Sequence, residues 1–391
     1  MSGNKTLSRR RPVALLIAML LALTACTGEA GQEPQPTPEP APPAKVSLQP
    51  GDGTAEVKPR DDVAVTVRDG TLTDVALTNG QGKQVKGELA EDSRSWRVTE
   101  PLGYGKTYTW SGTATNSEGR TTPVEGSFRT VAPARTLGAS MNVGDGQTYG
   151  IAMPISITFD APVRNKAAVE RALSVETSTD VEGSWAWLEL DTAVHWRPKE
   201  YWPPGTDVSV KADLYGLDLG DGAYGENDLT SEFSIGRSQI VRANTQTHRM
   251  KVFVDGKQTA DYPASFGLDS DPGRVTRSGT HVVMSKHPTY FMNNPAYDYE
   301  DFEVNWAVRI SNNGEFTHSA PWSIGDQGYT NVSHGCVNLS PENALEYYEL
   351  AQTGDPFEIS GSSQPLGPRD GNYHDWTYSW GEWTSMSALQ R

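Results

Sequence analysis

Two cysteines occur in the 391-residue chain, Cys26 and Cys336, and their surroundings differ. Cys26 follows directly on an apolar N-terminal run, whereas Cys336 lies in "NVSHGCVNLSPENA", Asn331 to Ala344. A thiol becomes a strong nucleophile as its thiolate, and the usual means are a neighbouring histidine or a helix N-terminus. His334 is two residues upstream of Cys336, His318 is eighteen upstream at the end of "EFTH", and "SPEN" starts a helix just downstream. Gly335 permits a backbone conformation or close approach that a Cβ would block, so backbone amides at Gly335 and Cys336 can receive an oxyanion.

On residue types alone three readings are open. The first is a buried, inert cysteine with satisfied histidines. The second is a zinc site of Cys336, His318 and His334, although the paired C-x-x-C or H-E-x-x-H spacing of strong metal sites is missing. The third is nucleophilic catalysis, with the histidine as base.

The elements that would position these side chains are mostly strands. From Arg237 to Ser360 the chain reads "HRMKVFVDG", "GTHVVMSK", "FEVNWAVRI" and "EFTHSA", with Val304, Trp306, Val308 and Ile310 expected on one face. Between the second and third of these lies "HPTYFMNNPAYDYEDF", too polar and too rich in Pro, Asn and Tyr for a core strand, which reads as a lid over a site. After the cysteine a helix is expected, with Ser340 as N-cap, Pro341 at the first position, apolar Ala344, Leu345, Tyr348 and Ala351, and Gly354 as the stop. Upstream, residues 46–132 and 133–236 show short alternating segments between turn signals, which predict two β-sandwiches in tandem. In the second, "ISITFD" directs Ile155, Ile157 and Phe159 inward against Ser156, Thr158 and Asp160, and Trp185, Trp187 and Trp196 are read as core. The terminal stretch 361–391 carries Trp376, Trp380 and Trp383, expected to pack back onto the third unit.

The N-terminus reads as an export signal: Lys5, Arg9, Arg10 and Arg11, an apolar run from Val13 to Leu23, then small residues. Residues 1–25 are taken as this leader and 26–45, rich in Pro, Glu and Gln, as an extended spacer. "LTAC" resembles a bacterial lipobox, which would make Cys26 the lipidated residue and leave Cys336 as the one free thiol of an exported chain. The formal charge is −16 before the four leader cations are removed, and so acidic a chain is a poor partner for nucleic acid.

"HSAPWSIGDQGYTNVSHGCVNLSPENA" resembles the signature of the L,D-transpeptidase (YkuD-type) catalytic domain, supplying His318 and then Ser333, His334, Gly335, Cys336, Val337 and Asn338 without departure from the pattern. The wider chain is similar to the actinobacterial lipoprotein members of that family. The resemblance implies a mainly β fold: two immunoglobulin-like sandwiches, a β-rich catalytic domain over 237–360 with a short helix after the cysteine, and a Trp-rich extension. It implies that Cys336 attacks the carbonyl between the third residue of a tetrapeptide stem and its terminal D-alanine, with His318 as general base, Ser319 orienting it through a backbone carbonyl, and His334 and Gly335 lining the site. Tyr297 matches a lid tyrosine of the oxyanion hole, Met284 and Trp322 match substrate positions, and Ser333 and Asn338 complete the substrate-site set. The thioester would pass to the side-chain amine of a second stem, giving a 3→3 peptidoglycan cross-link. Water, a free D-amino acid or a protein amine are the other acceptors, and a non-catalytic wall-binding lipoprotein is the reading from another class. The implied chemistry needs no metal and no cofactor, places the protein on the outer face of the membrane, and makes Cys336 a target for carbapenems.

Overall fold

A computed structural model describes residues 39–297 and 299–389. The leader and Cys26 lie outside the described residues. The first unit is a sandwich. One sheet is ordered Lys45–Gln49, Ala64–Arg68, Ser95–Val98, Gly87–Leu89, and it faces a sheet built on Thr54–Val57, Gly126–Thr130, Thr107–Thr115 and Thr71–Asn79. Between them Trp96 and Trp110 meet edge to face, 5.4 Å between ring centroids, the geometry that aromatic quadrupoles favour.

The second unit is again a sandwich, with Ile155–Phe159 and Ala193–Pro198 central in one sheet and Leu229–Ile235 and Asp207–Ala212 central in the other. Ile155, Ile157 and Phe159 are buried as the alternation predicts, and Trp187, Trp196 and Trp202 are core residues. Ser156 departs from the pattern, being buried although its strand position points it away from the apolar row. The C-terminal tail is the reason. Ser156 Oγ is 2.8 Å from His195 Nε2, and His195 Nδ1 is 2.8 Å from Asp375 Oδ1, so the polar face of this strand is covered from outside. The tryptophans of the tail follow the same route. Trp383 is fully buried with Ala186 and Leu188, and the Arg197 guanidinium lies over the rings of Trp376, Trp380 and Trp383 at 4.6, 5.5 and 4.8 Å. The tryptophans therefore pack chiefly on the second sandwich, where this arginine waits, and not on the third unit as expected, while the stretch before them stays on the third unit, Asp370 pairing with Arg277 at 3.2 Å.

The third unit pairs two sheets around the helix Pro341–Leu350. One runs Lys257–Pro263, Arg249–Val254, Gln239–Asn244, Pro356–Ser360, Gly279–Val282; the other runs Ser285–Asn294, Tyr299–Arg309, Phe316–Ser319, Val337–Leu339. Ser340 caps the helix, its hydroxyl accepting from the Asn343 amide at 3.2 Å, and Ala344 and Tyr347 enter a core with Val241, Val252, Phe266 and Phe357. The helix ends at Leu350, four residues short of Gly354. Gly354 has another task. Its φ is +94°, and a Cβ there would sit 2.8 Å from the Gly150 nitrogen of the second sandwich, so only glycine lets the two units touch.

Two strand expectations change. The polar stretch read as a lid loop is a long antiparallel ribbon, Ser285–Asn294 against Tyr299–Arg309, closed by Pro295–Tyr297. A projecting two-stranded ribbon buries little, so it requires no core composition. Within it Val304, Trp306, Val308 and Ile310 do not share a face. Trp306 takes φ +58°; Val304 and Ala307 pack beside Cys336, whereas Trp306, Val308 and Ile310 pack on the helix side. A left-handed residue in mid-strand interrupts the period of two on which the single-face reading rests.

Candidate active site

The third unit's second sheet brings the chemistry together. Phe316–Ser319 and Val337–Leu339 pair in parallel, with His318 opposite Asn338 and Thr317 opposite Val337. Side chains alternate along a strand, so Cys336, two residues before Asn338, faces the same side as His318 on the neighbouring strand. Both line one cavity of about 300 Å³ with Met292, Phe302, Trp322, Val332, Ser333, His334 and Asn338.

His318 is buried, and its Nδ1 donates to the Ser319 carbonyl at 2.9 Å. That bond fixes the tautomer and leaves Nε2 unprotonated, the form a general base requires. Burial lowers its pKa to about 4, against the raising effect of the Ser319 bond. Cys336 is 8% exposed, and burial pushes its thiol up to about 12. The sulfur donates to the Gly314 carbonyl at 3.7 Å and receives the Phe316 amide. The resting pair is therefore a neutral thiol and a neutral imidazole on one cavity, with the thiol proton turned to the Gly314 carbonyl. The capped helix contributes little to the sulfur: the strand Val337–Leu339 stands between them, a separation of about 10 Å at strand rise.

The loop before the cysteine is pinned from within. Ser333 Oγ donates to the Cys336 carbonyl at 2.6 Å and accepts from the Gly335 amide at 3.1 Å. Thr276 Oγ1 donates to the Gly335 carbonyl at 2.8 Å, and Arg274 donates to the Ser333 and Val332 carbonyls at 3.2 and 2.5 Å. Gly335 sits at φ +119°, a conformation L-residues avoid. Of the two amides proposed for an oxyanion, that of Gly335 is already bonded to Ser333 in this state. His334 is exposed and lines the cavity, its pKa lowered by burial and then by Arg274.

Asn338 is buried and donates to Ser323 Oγ at 3.1 Å while facing the cavity. Trp322, 55% exposed, stacks on the His318 ring at 6.0 Å and meets Phe302 of the ribbon edge to face at 5.1 Å, so the mouth is roofed by aromatic surface. Tyr297 packs on His334 at 5.0 Å with its hydroxyl turned toward Asp271 Oδ1 at 3.4 Å. Met284 is not among the lining residues; it lies between the strands Gly279–Val282 and Ser285–Asn294, its amide donating to the Arg309 carbonyl at 2.9 Å. The methionine at the cavity is Met292, on the ribbon. Met292 and Phe302 escape sequence reading because aromatic and apolar residues occur on both faces of the ribbon, and Val332 because it lies in the irregular loop before the cysteine, where no period marks a face. No residue pattern marks Met292: it is the lone buried residue of its strand, so no apolar row in the sequence points to it. Among the described residues no three His, Cys, Asp or Glu side chains converge as a metal would require, so the zinc alternative finds no ligand set.

Residues 238–359 match the family of L,D-transpeptidase catalytic domains (YkuD), and residues 54–218 match the bacterial Ig domain family. The fold and the cysteine motif are those of a cysteine-dependent transpeptidase, and the chain belongs to the L,D-transpeptidase family. L,D-transpeptidase 5 of Mycobacterium tuberculosis (strain ATCC 25618 / H37Rv) is 48% identical over 389 residues, 98% of this chain and 86% of that protein. L,D-transpeptidase 2 of Mycobacterium tuberculosis (strain CDC 1551 / Oshkosh) is 36% identical over 351 residues, 88% of this chain and 85% of its own. A solved L,D-transpeptidase in complex with imipenem is 35% identical, with a TM-score of 0.49, spanning 57% of this chain and 99% of that one.

Proposed function

We propose that this enzyme makes 3→3 cross-links in peptidoglycan, outside the cell and tethered to the membrane by a lipid on Cys26. The observation that supports the chemistry best is the parallel pairing that sets Cys336 and His318 on one face at the floor of a single cavity. The sulfur attacks the carbonyl carbon of a tetrapeptide stem at the bond to its terminal D-alanine while His318 Nε2 takes the thiol proton. Collapse of the tetrahedral intermediate breaks the C–N bond, and the imidazolium returns the proton to the departing D-alanine amine. The thioester is then attacked by the side-chain amine of a second stem's diamino acid, His318 taking that amine's proton and passing it back to the leaving sulfur. A β-lactam of the carbapenem class presents a strained amide to the same sulfur and is expected to acylate it.

The test supplies a tetrapeptide muropeptide to the purified protein and follows products by mass. A dimer formed with loss of one D-alanine supports cross-linking. Loss of D-alanine without a dimer shifts the assignment to a carboxypeptidase, and incorporation of a free D-amino acid shifts it to exchange. Cys336→Ala is expected to abolish all three.

A further inference from the structure

Glu315 lies between the two residues that hold the sulfur, the Gly314 carbonyl and the Phe316 amide. Its carboxyl is buried, 3% exposed, and Oε1 accepts from the Arg277 amide at 2.7 Å. Oε2 has no hydrogen-bond partner and stands 3.5 Å from Nδ1 of His281, a fully buried ring whose Nδ1 is likewise unpartnered. His281 Nε2 donates to the Arg277 carbonyl at 2.9 Å. That bond decides the tautomer. With the proton on Nε2, a neutral ring turns the Nδ1 lone pair toward a carboxylate lone pair, two buried acceptors facing each other at a desolvation cost. One proton between them converts the contact to a hydrogen bond and makes the pair net neutral, whichever atom holds it.

We propose that Glu315 and His281 share a single proton and that Glu315 is a positioning residue for the nucleophile. While the proton is held, the Gly314–Phe316 segment is tied to the Arg277–His281 segment and Cys336 faces no net charge from this side. Once it is lost, a carboxylate stands behind the sulfur and opposes the negative charge that develops there and on the oxyanion. The stem of Glu315 lies directly under the nucleophile's loop, since a Cβ on Gly335 would be 3.7 Å from Glu315 Cγ.

The other charges facing the pair are accounted for. Arg277 is engaged by Asp370 at 3.2 Å, Arg309 lies over the Phe316 ring at 4.6 Å and acts on Cys336, and Asp375, on the segment packed against the His281 strand, is committed to His195. Burial raises the Glu315 pKa first of all, with His281 and the Arg277 amide opposing it, so the proton is retained above the ordinary carboxylate range.

The inference rests on Cys336 being the acyl acceptor, and its test separates the two. Single-turnover acylation by a carbapenem is measured against pH for the full chain and for E315Q, whose amide preserves both hydrogen bonds and cannot ionise. The ratio of E315Q to parent rates is expected to climb by about tenfold from neutral to alkaline pH, the effect of one unit in the thiol pKa. A ratio constant across pH assigns Glu315 a purely structural role and overturns the proposal. Absence of acylation in both proteins defeats the reading of Cys336 instead. Independently of acylation, ¹⁵N NMR of the parent's His281 ring is expected to show Nδ1 in a strong hydrogen bond at neutral pH that is lost on the alkaline side. A bare Nδ1 throughout contradicts the shared proton, and this measurement stands even where E315Q fails to fold.

Discussion

Burial moves Cys336 and His318 in the directions that forbid a resting ion pair, the thiol to about 12 and the imidazole to about 4. Both groups are neutral across the range between those values, so proton transfer must accompany attack on a carbonyl. Alkylation by iodoacetamide, which reports thiolate, is therefore expected to be slower at Cys336 than at free cysteine near neutral pH and to rise into the alkaline range. An inflection near pH 7 would demonstrate a pre-formed ion pair and contradict this. His318→Ala is expected to slow carbapenem acylation by about 10² to 10⁴-fold with the fold intact. At this scale part of the site was legible: the motif spacing of Cys336, His318 and Ser319 survives as the pairing of adjacent strands, and Trp322 reaches the same cavity from the turn Pro321–Ser323. Glu315 was not legible, because a glutamate before "FTH" reads as solvent-facing, and only the third dimension sets Arg277 and His281 behind it. Met292 was hidden for a related reason, since its strand shows no apolar row to mark which side turns inward.

The decisive element is a parallel strand pair, one strand of which starts directly after the nucleophile, and the turn that leads into the nucleophile needs Gly335 at φ +119°. Space is not the constraint there, as the atoms nearest a new Cβ lie at 3.7 and 3.8 Å. Conformation is. Gly335→Ala is expected to cost about 1–3 kcal/mol of stability and to reduce acylation sharply in protein that remains folded, read by urea unfolding beside carbapenem kinetics. Full acylation in a destabilised variant would show that the strained turn is dispensable to the chemistry. Alternation in "ISITFD" and the cap at Ser340 could be read because they depend on local periodicity and local hydrogen bonds. The ribbon could not, since it is held by pairing across a hairpin and not by burial, and Trp306 reverses the face its neighbours present.

Across the whole molecule the units are joined by specific contacts. Tyr104 and Tyr215 exchange hydrogen bonds between the sandwiches, with Tyr215 Oη donating to the Leu102 carbonyl at 3.0 Å and Tyr104 Oη donating to the Gly225 carbonyl at 2.7 Å. Gly150 and Ala152 donate to the Thr353 and Gly354 carbonyls, both at 2.8 Å, and the tail returns from the catalytic unit to lie on Arg197. The destination of the tail was illegible because its partner is one arginine 179 positions before Trp376 in the chain. Trp383→Ala empties a fully buried site and is expected to cost about 3–5 kcal/mol, releasing the tail to limited proteolysis while Cys336 still acylates. Retention of a protease-resistant tail would contradict its docking through this residue. The most direct test of the central claim is intact mass spectrometry of the purified protein after exposure to a carbapenem, with Cys336→Ala alongside. One adduct on the parent and none on the variant is the expected result; an unmodified, folded parent, or an equal adduct on the variant, would contradict Cys336 as the acyl-accepting nucleophile.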